Sequence, residues 1–196
     1  MSKVVIFMNL TLDGVMQAPA RPDEDRRGGF DHGGWATPYA TMEAAEKSMA
    51  NSNVLLLGRR TYEDFYSVWP NRTDNPFTAV LDNTQKYVAS TTLSEPLPWR
   101  NSTLLKGDAA EAVARLKQEL DKDLLVLGSG ELIQSLMQHN LVDEYVLLIH
   151  PLVLGSGRRL FTDGGTFAAL QLVDTRTTST GVVIATYQQT EHMVGK

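Results

Sequence analysis

Three short segments combine glycine, hydroxyl and cationic residues in a pattern that could hold phosphate. Gly58-Arg59-Arg60-Thr61 directly follows the apolar run Val54 to Leu57 and opens a predicted helix. A helix start presents N–H groups that have no intrahelical partner, and two guanidinium groups beside them suit a diphosphate. Taken alone, the same segment reads equally well as a helix start with two solvated arginines. Ala89-Ser90-Thr91-Thr92 ends another predicted strand with hydroxyls and amides, which hold a further phosphate or form a plain Ser/Thr loop. Gly128-Ser129-Gly130-Glu131 lies between the apolar Leu124–Leu127 and an amphipathic helix, where glycine lets a ligand approach the backbone. It lacks the third glycine of a dinucleotide fingerprint, and no acidic residue follows at the expected spacing. It is therefore not a standard Rossmann motif. Asp13, in Thr11-Leu12-Asp13-Gly14, is either a turn-forming residue or a carboxylate that meets substrate.

The elements that must position these segments follow from the apolar pattern. Val4-Val5-Ile6-Phe7-Met8, Val54–Leu57, Leu124–Leu127 and Tyr145–Ile149 are short continuous apolar runs, as expected of strands buried on both faces. Further strands are predicted at about Phe77–Leu81, Lys86–Ser90 and Ser102–Lys106. Ala109, Val113, Leu116 and Leu120 predict a helix over 108–121 capped by Asp108. Leu132, Ile133, Leu136 and Met137 stripe another, and Arg59 to Tyr66 a shorter one. Thr37-Pro38 predicts a helix start, with the helix running to about Asn51 and Tyr39, Met42, Ala45 and Met49 on one face. Leu170–Thr175 and Val182–Gln188 read as a hairpin around Ser179-Thr180-Gly181. Residues 17–34, rich in Pro, Asp, Arg and Gly, are expected to be a lid or a disordered loop. The whole is α/β, with a mainly parallel sheet, helices on both faces and a C-terminal antiparallel hairpin.

Composition narrows the function class. The 196 residues suit a single domain, and 42% hydrophobic with 21% charged residues is ordinary for a globular protein. A net charge of -5 without a basic cluster argues against nucleic acid. No apolar run reaches the ~20 residues of a membrane span. The absence of cysteine excludes disulfides, thiolate ligands and thiol catalysis, and the first ten residues lack signal-peptide regions. A cytoplasmic protein is expected. His32 and His150 carry no metal-ligand spacing, so no metal is expected and neither histidine is given a role. Arg158 and Arg159 meet a substrate phosphate or face solvent, the second reading being preferred.

In order and spacing, the segments resemble the dihydrofolate reductase-like superfamily, most closely the C-terminal reductase domain of the riboflavin-biosynthesis deaminase/reductase. The residues carrying the resemblance are Thr11-Leu12-Asp13-Gly14, Leu57-Gly58-Arg59-Arg60-Thr61-Tyr62-Glu63, and the stretch from Leu127-Gly128-Ser129-Gly130-Glu131-Leu132 through Leu141-Val142-Asp143-Glu144 and Leu154-Gly155-Ser156-Gly157 to Leu160-Phe161. It implies a three-layer fold and NADPH as cofactor. Gly128, Ser129, Gly130, Glu131 and Leu132 match the turn that cradles the pyrophosphate, and Gly58, Arg59, Arg60 and Thr61 the segment on its other side. Ser90 and Thr91 match the strand end that meets the 2′-phosphate, while the backbones of Asn9 and Met16 match positions orienting the nicotinamide carboxamide. Asp13 is the implied proton donor or substrate anchor. Glu43 falls roughly at the substrate carboxylate of dihydrofolate reductases, or is an exposed helical residue. Trp35 and Tyr39 stack on a flat substrate or pack in the core. The implied function is reduction of a flat nitrogen heterocycle, a riboflavin precursor before a pterin such as dihydrofolate. A non-catalytic NADP(H)-binding protein is the alternative from another class. No deaminase residues accompany the reductase pattern, and a homodimer is the expected assembly.

Overall fold

The computed structural model describes residues 2–41, 54–75 and 77–190. Its strands are β1 (Val4–Thr11), β2 (Val54–Gly58), β3 (Lys86–Ala89), β4 (Ser102–Leu105), β5 (Leu124–Leu127), β6 (Glu144–His150), β7 (Leu170–Thr177) and β8 (Val183–Gln189). The described helices are α1 (Arg59–Val68), α2 (Phe77–Asn83), α3 (Ala109–Glu119) and α4 (Gly130–Gln138). The strand order is β4-β3-β2-β5-β1-β6-β8-β7. The sheet is mainly parallel and ends in the antiparallel C-terminal hairpin, in line with the expected α/β class. The chain divides into two compact units. Of the described residues, one comprises 2–5 and the segment from β2 to Leu141; the other comprises Ile6 to Thr41 and 142–190.

In the first unit β4, β3, β2 and β5 are mutually parallel. Their apolar runs are continuous because both faces are covered: Val54 to Leu57 and Leu124 to Val126 are all buried. The helices pack through the predicted stripes, Leu132, Ile133 and Leu136 in α4 and Val113 and Leu116 in α3. Asp108 caps α3 as expected, its carboxylate accepting from Glu111 N at 2.9 Å.

One element differs in type. Phe77–Leu81 belongs to helix α2, not to a strand. Asn75 supplies the reason, because its side-chain Oδ1 accepts from Phe77 N at 2.9 Å. Phe77 and Leu81 then lie one helical turn apart, with Leu81 buried and Val80 exposed. The next strand opens on Lys86, which is fully buried. Its Nζ donates to the carbonyls of Leu81 and Thr84, each at 2.7 Å, and lies 4.4 Å from the centre of the Trp99 ring.

In the second unit β6, β8 and β7 form an antiparallel ribbon, with β8 central. Thr37 to Tyr39 is a 3-10 turn rather than the start of a long helix; Ala40 is already extended. The remainder of that predicted helix, from Met42 on, lies outside the described residues. The 17–34 segment is a packed loop. Gln17, itself buried, donates from Nε2 to the carbonyls of Asp25 and Arg27 and accepts from Arg158 N at Oε1. Phe30 and Trp35 close over Val15 and Ala18 as a small apolar core of their own. Its polar composition hides one aromatic anchor, Phe30, and one buried amide, Gln17, which hold it together with the adjoining Trp35.

Candidate functional site

In the first unit the three segments come to one end of one sheet. Gly58 is level with Ala89 on β3, and Leu56 with Val126 on β5, so two residues on Gly58 stands level with Gly128. The carboxyl ends of three neighbouring parallel strands therefore carry Gly58, Ser90 and Gly128, the edge where α/β sheets take ligands.

Two helices start there, and they are tied to each other. Gly58 N donates to Ser129 Oγ at 2.9 Å, Ser129 Oγ donates to Leu127 O at 3.1 Å, and Ser129 N donates to Thr61 Oγ1 at 3.0 Å. Gly128 and Ser129 are both left-handed, with φ of 56° and 58°. A Cβ on Gly128 would come within 3.3 Å of Thr61 Oγ1, a tight approach at a left-handed φ, which favours glycine there. Gly58, Thr61 and Ser129 thus build the cradle with groups that the sequence pattern had directed at a phosphate. The amides left for an anion are those of the first turns of α1 and α4.

Around this cradle Arg60 pairs with Glu131 at 2.8 Å and Arg59 with Glu63 at 3.0 Å. Both pairs are exposed, so each arginine can exchange its partner for a ligand anion at little cost. Leu132 is buried beneath the turn. Ser90 Oγ accepts from Thr92 N and Leu93 N, at 3.1 and 3.0 Å, and so caps its own loop; Thr91 is exposed beside it.

The second unit holds the other expected residues. Asp13 is saturated: Oδ1 accepts from Thr11 Oγ1 at 2.6 Å and Leu154 N at 3.2 Å, and Oδ2 from Gly155 N at 2.8 Å. Arg159 adds an ion pair at 3.4 Å, so that arginine is engaged rather than simply solvated. The Thr11 hydroxyl, with the two amides, holds the carboxyl down at about 2. Asp13 thus sits as the turn-forming residue of its loop, its carboxylate bonded within the second unit. Met16 N donates to Arg158 O at 2.9 Å.

Trp35 is core. It is 7% exposed, and its Nε1 donates to Gln17 O at 2.7 Å, so it offers no face for stacking. Tyr39 is half-buried, and Glu43 lies outside the described residues.

The residue that sequence reasoning missed is His150. It ends β6, is 3% exposed, and its Nε2 lies 2.9 Å from Asn9 Oδ1. Trp35 and Tyr39 meet it edge to face, at centroid distances of 5.1 and 5.6 Å. Burial pushes its imidazole down to about 4.

Known proteins match over the whole of this arrangement. The pattern of the RibD C-terminal domain matches residues 2–184. The uncharacterized protein YyaP of Bacillus subtilis is 29% identical over 190 residues, covering 94% of each chain. A structure of a putative riboflavin biosynthesis protein from Shewanella sp. PV-4 superposes with a TM-score of 0.72 at 22% identity, over 97% of this chain and 100% of that one. Dihydrofolate reductase from Enterococcus faecalis, complexed with NADP(H), superposes with a TM-score of 0.63 at 12% identity, over 96% and 97%.

Proposed function

The chain belongs to the RibD C-terminal domain family, and from that premise we propose that it is an NADPH-dependent reductase of a flat nitrogen heterocycle. The substrate class is that of 5-amino-6-(5-phosphoribosylamino)uracil in riboflavin biosynthesis. The observation that carries this reading is the tied pair of helix starts at Gly58 and Ser129. Two helix N-termini, two exchangeable arginines and a tight left-handed glycine turn fit a diphosphate in charge and shape.

When bound, the nicotinamide supplies the hydride. The chain's own part is to bind, orient and exclude water. The first turns of α1 and α4, with Gly130 and Glu131 at the start of α4, hold the diphosphate, and Arg59 and Arg60 neutralise it. Ser90 and Thr91 take the 2′-phosphate, which selects NADPH over NADH. The backbones of Asn9 and Met16 orient the carboxamide, and Tyr39 meets the flat substrate.

Thermal unfolding with nucleotide tests this. NADPH at ~100 times its dissociation constant is expected to stabilise the protein by ~2.7 kcal/mol, and NADH at the same concentration by much less. Loss of reduced-nicotinamide absorbance on adding an aminopyrimidine then reads turnover. Equal shifts with both nucleotides would remove Ser90 and Thr91 from the reading, and no shift with either would sink it.

We propose a cytoplasmic enzyme that works as a homodimer. Among the described residues no helix is long and apolar enough to cross a membrane. β7 is the last strand of the sheet, with Leu172 and Val173 about half exposed, so its outer edge offers a second copy an antiparallel partner. Light scattering is expected to give twice the mass of one chain; a single-chain mass at micromolar protein would remove the dimer.

A further inference from the structure

Among the described residues four buried side-chain atoms have no hydrogen-bond partner. Three are hydroxyls, of Thr78, Ser102 and Thr186; the fourth is Nδ1 of His150. A hydroxyl can turn its hydrogen to suit a neighbour, whereas this ring is fixed by Asn9 at one nitrogen and by two aromatic edges. We infer that Nδ1 of His150 is the acceptor that recognises an N–H of the heterocyclic substrate, reached when the Tyr39 ring turns aside. The inference rests on the reductase reading and names the edge of the substrate which that reading leaves open.

The tautomer follows from the partner. Asn9 Oδ1 accepts, so Nε2 carries the proton and Nδ1 presents only a lone pair. Burial keeps the ring neutral at pH 7, which leaves that lone pair available. A buried acceptor without a donor costs free energy in the folded state, and a ligand N–H recovers it. Of the two rings over His150, Trp35 is pinned by its bond to Gln17 and by the small core around it. Tyr39 ends a single 3-10 turn, Ala40 beyond it is extended, and Thr180 Oγ1 holds only its backbone carbonyl, at 2.9 Å. Tyr39 is the ring able to move, and its freed face can stack on a flat ligand. A site built this way rejects an analogue that lacks the N–H.

The test follows the imidazole directly. Protein carrying 15N-histidine is titrated with 5,6-diaminouracil and, separately, with 1,3-dimethyluracil, which has no N–H. The Nδ1 resonance of His150 is expected to move toward its hydrogen-bonded position with the first probe and to stay with the second. His150→Gln keeps a donor for Asn9 without an acceptor at Nδ1, and is expected to raise KM for the heterocycle about tenfold to a hundredfold. His150→Asn restores an acceptor at Nδ1 and is expected to recover part of that loss. An Nδ1 resonance unmoved at saturating diaminouracil, or moved equally by both probes, overturns the inference, as do equal KM values for the two variants. NADPH turnover with a silent Nδ1 would retire this inference and keep the reductase. A responsive Nδ1 without nucleotide binding would retire the reductase and keep the site.

Discussion

Gly157→Ala is expected to cost about 3 kcal/mol, because the new methyl group has nowhere to go. A Cβ there would lie 2.7 Å from Cε2 of Phe30 and 2.8 Å from Cγ1 of Val15. Both neighbours belong to the small apolar core that holds the 17–34 loop, and both are nearly inaccessible. Overpacking of this kind costs ~1–3 kcal/mol. The backbone adds to it: at a φ of 114° an L side chain is strained by ~1–2 kcal/mol. For a chain of this size ~3 kcal/mol lowers Tm by roughly 6–12 °C. Gly155→Ala separates the two contributions, since Gly155 has a φ of 75° and nothing within 4 Å of its would-be Cβ. It is expected to lose only the backbone part. Equal Tm values for the two variants would show that Phe30 and Val15 yield freely, and that the loop is not packed.

The second large effect is acid sensitivity. His150 is held at about 4, against an ordinary value of 6.5. Between those values the unfolded chain binds a proton there that the folded chain refuses. Stability therefore rises with pH across that window, and is lost on acidification from about 6.5 down to 4, where it levels off. The loss from His150 alone is about 3 kcal/mol. Asp13, held at about 2 against 3.8, adds a further fall of the same sign below pH 3.8. Urea midpoints at pH 7, 5.5 and 4 read the upper window. His150→Gln, which cannot titrate, is expected to flatten it and to leave the fall below pH 3.8 in place. A wild-type curve already flat from pH 7 to 4 would mean that His150 is not buried as a neutral ring.

The strands and the glycine turns were legible because their signals are local. A continuous apolar run such as Val54 to Leu57 leaves few alternatives to a covered strand, and glycine before a helical stripe marks the end of one. Phe77–Leu81 was misread because four or five apolar residues do not distinguish a strand from one turn of helix. The cap at Asn75 decided the matter. Trp35 could equally have packed or stacked, and Gln17, which pins it, is an unremarkable polar residue in the sequence. His150 was invisible for a different reason. Its character comes from Asn9, 141 residues earlier in the chain, and from two rings that close over it. Local spacing carries no trace of such a neighbourhood. The same holds for Thr61 and Ser129, whose hydroxyls suit a ligand in the sequence and are spent within the cradle, Thr61 on the amide of Ser129 and Ser129 on Gly58 and Leu127.

The bond between those two residues joins points 68 positions apart, and the one from Gly58 to Ser129 spans 71. Contacts so distant in sequence form only after the intervening chain has been gathered in, at the cost of closing a long loop. Before that moment the β2–α1 and β5–α4 segments are separate pieces, each with a single weak helix end. If the chain binds nucleotide as proposed, the ligand would find no finished cradle on the nascent or partly folded chain. It would not template the fold but latch one already complete, lengthening the life of finished molecules without speeding their making.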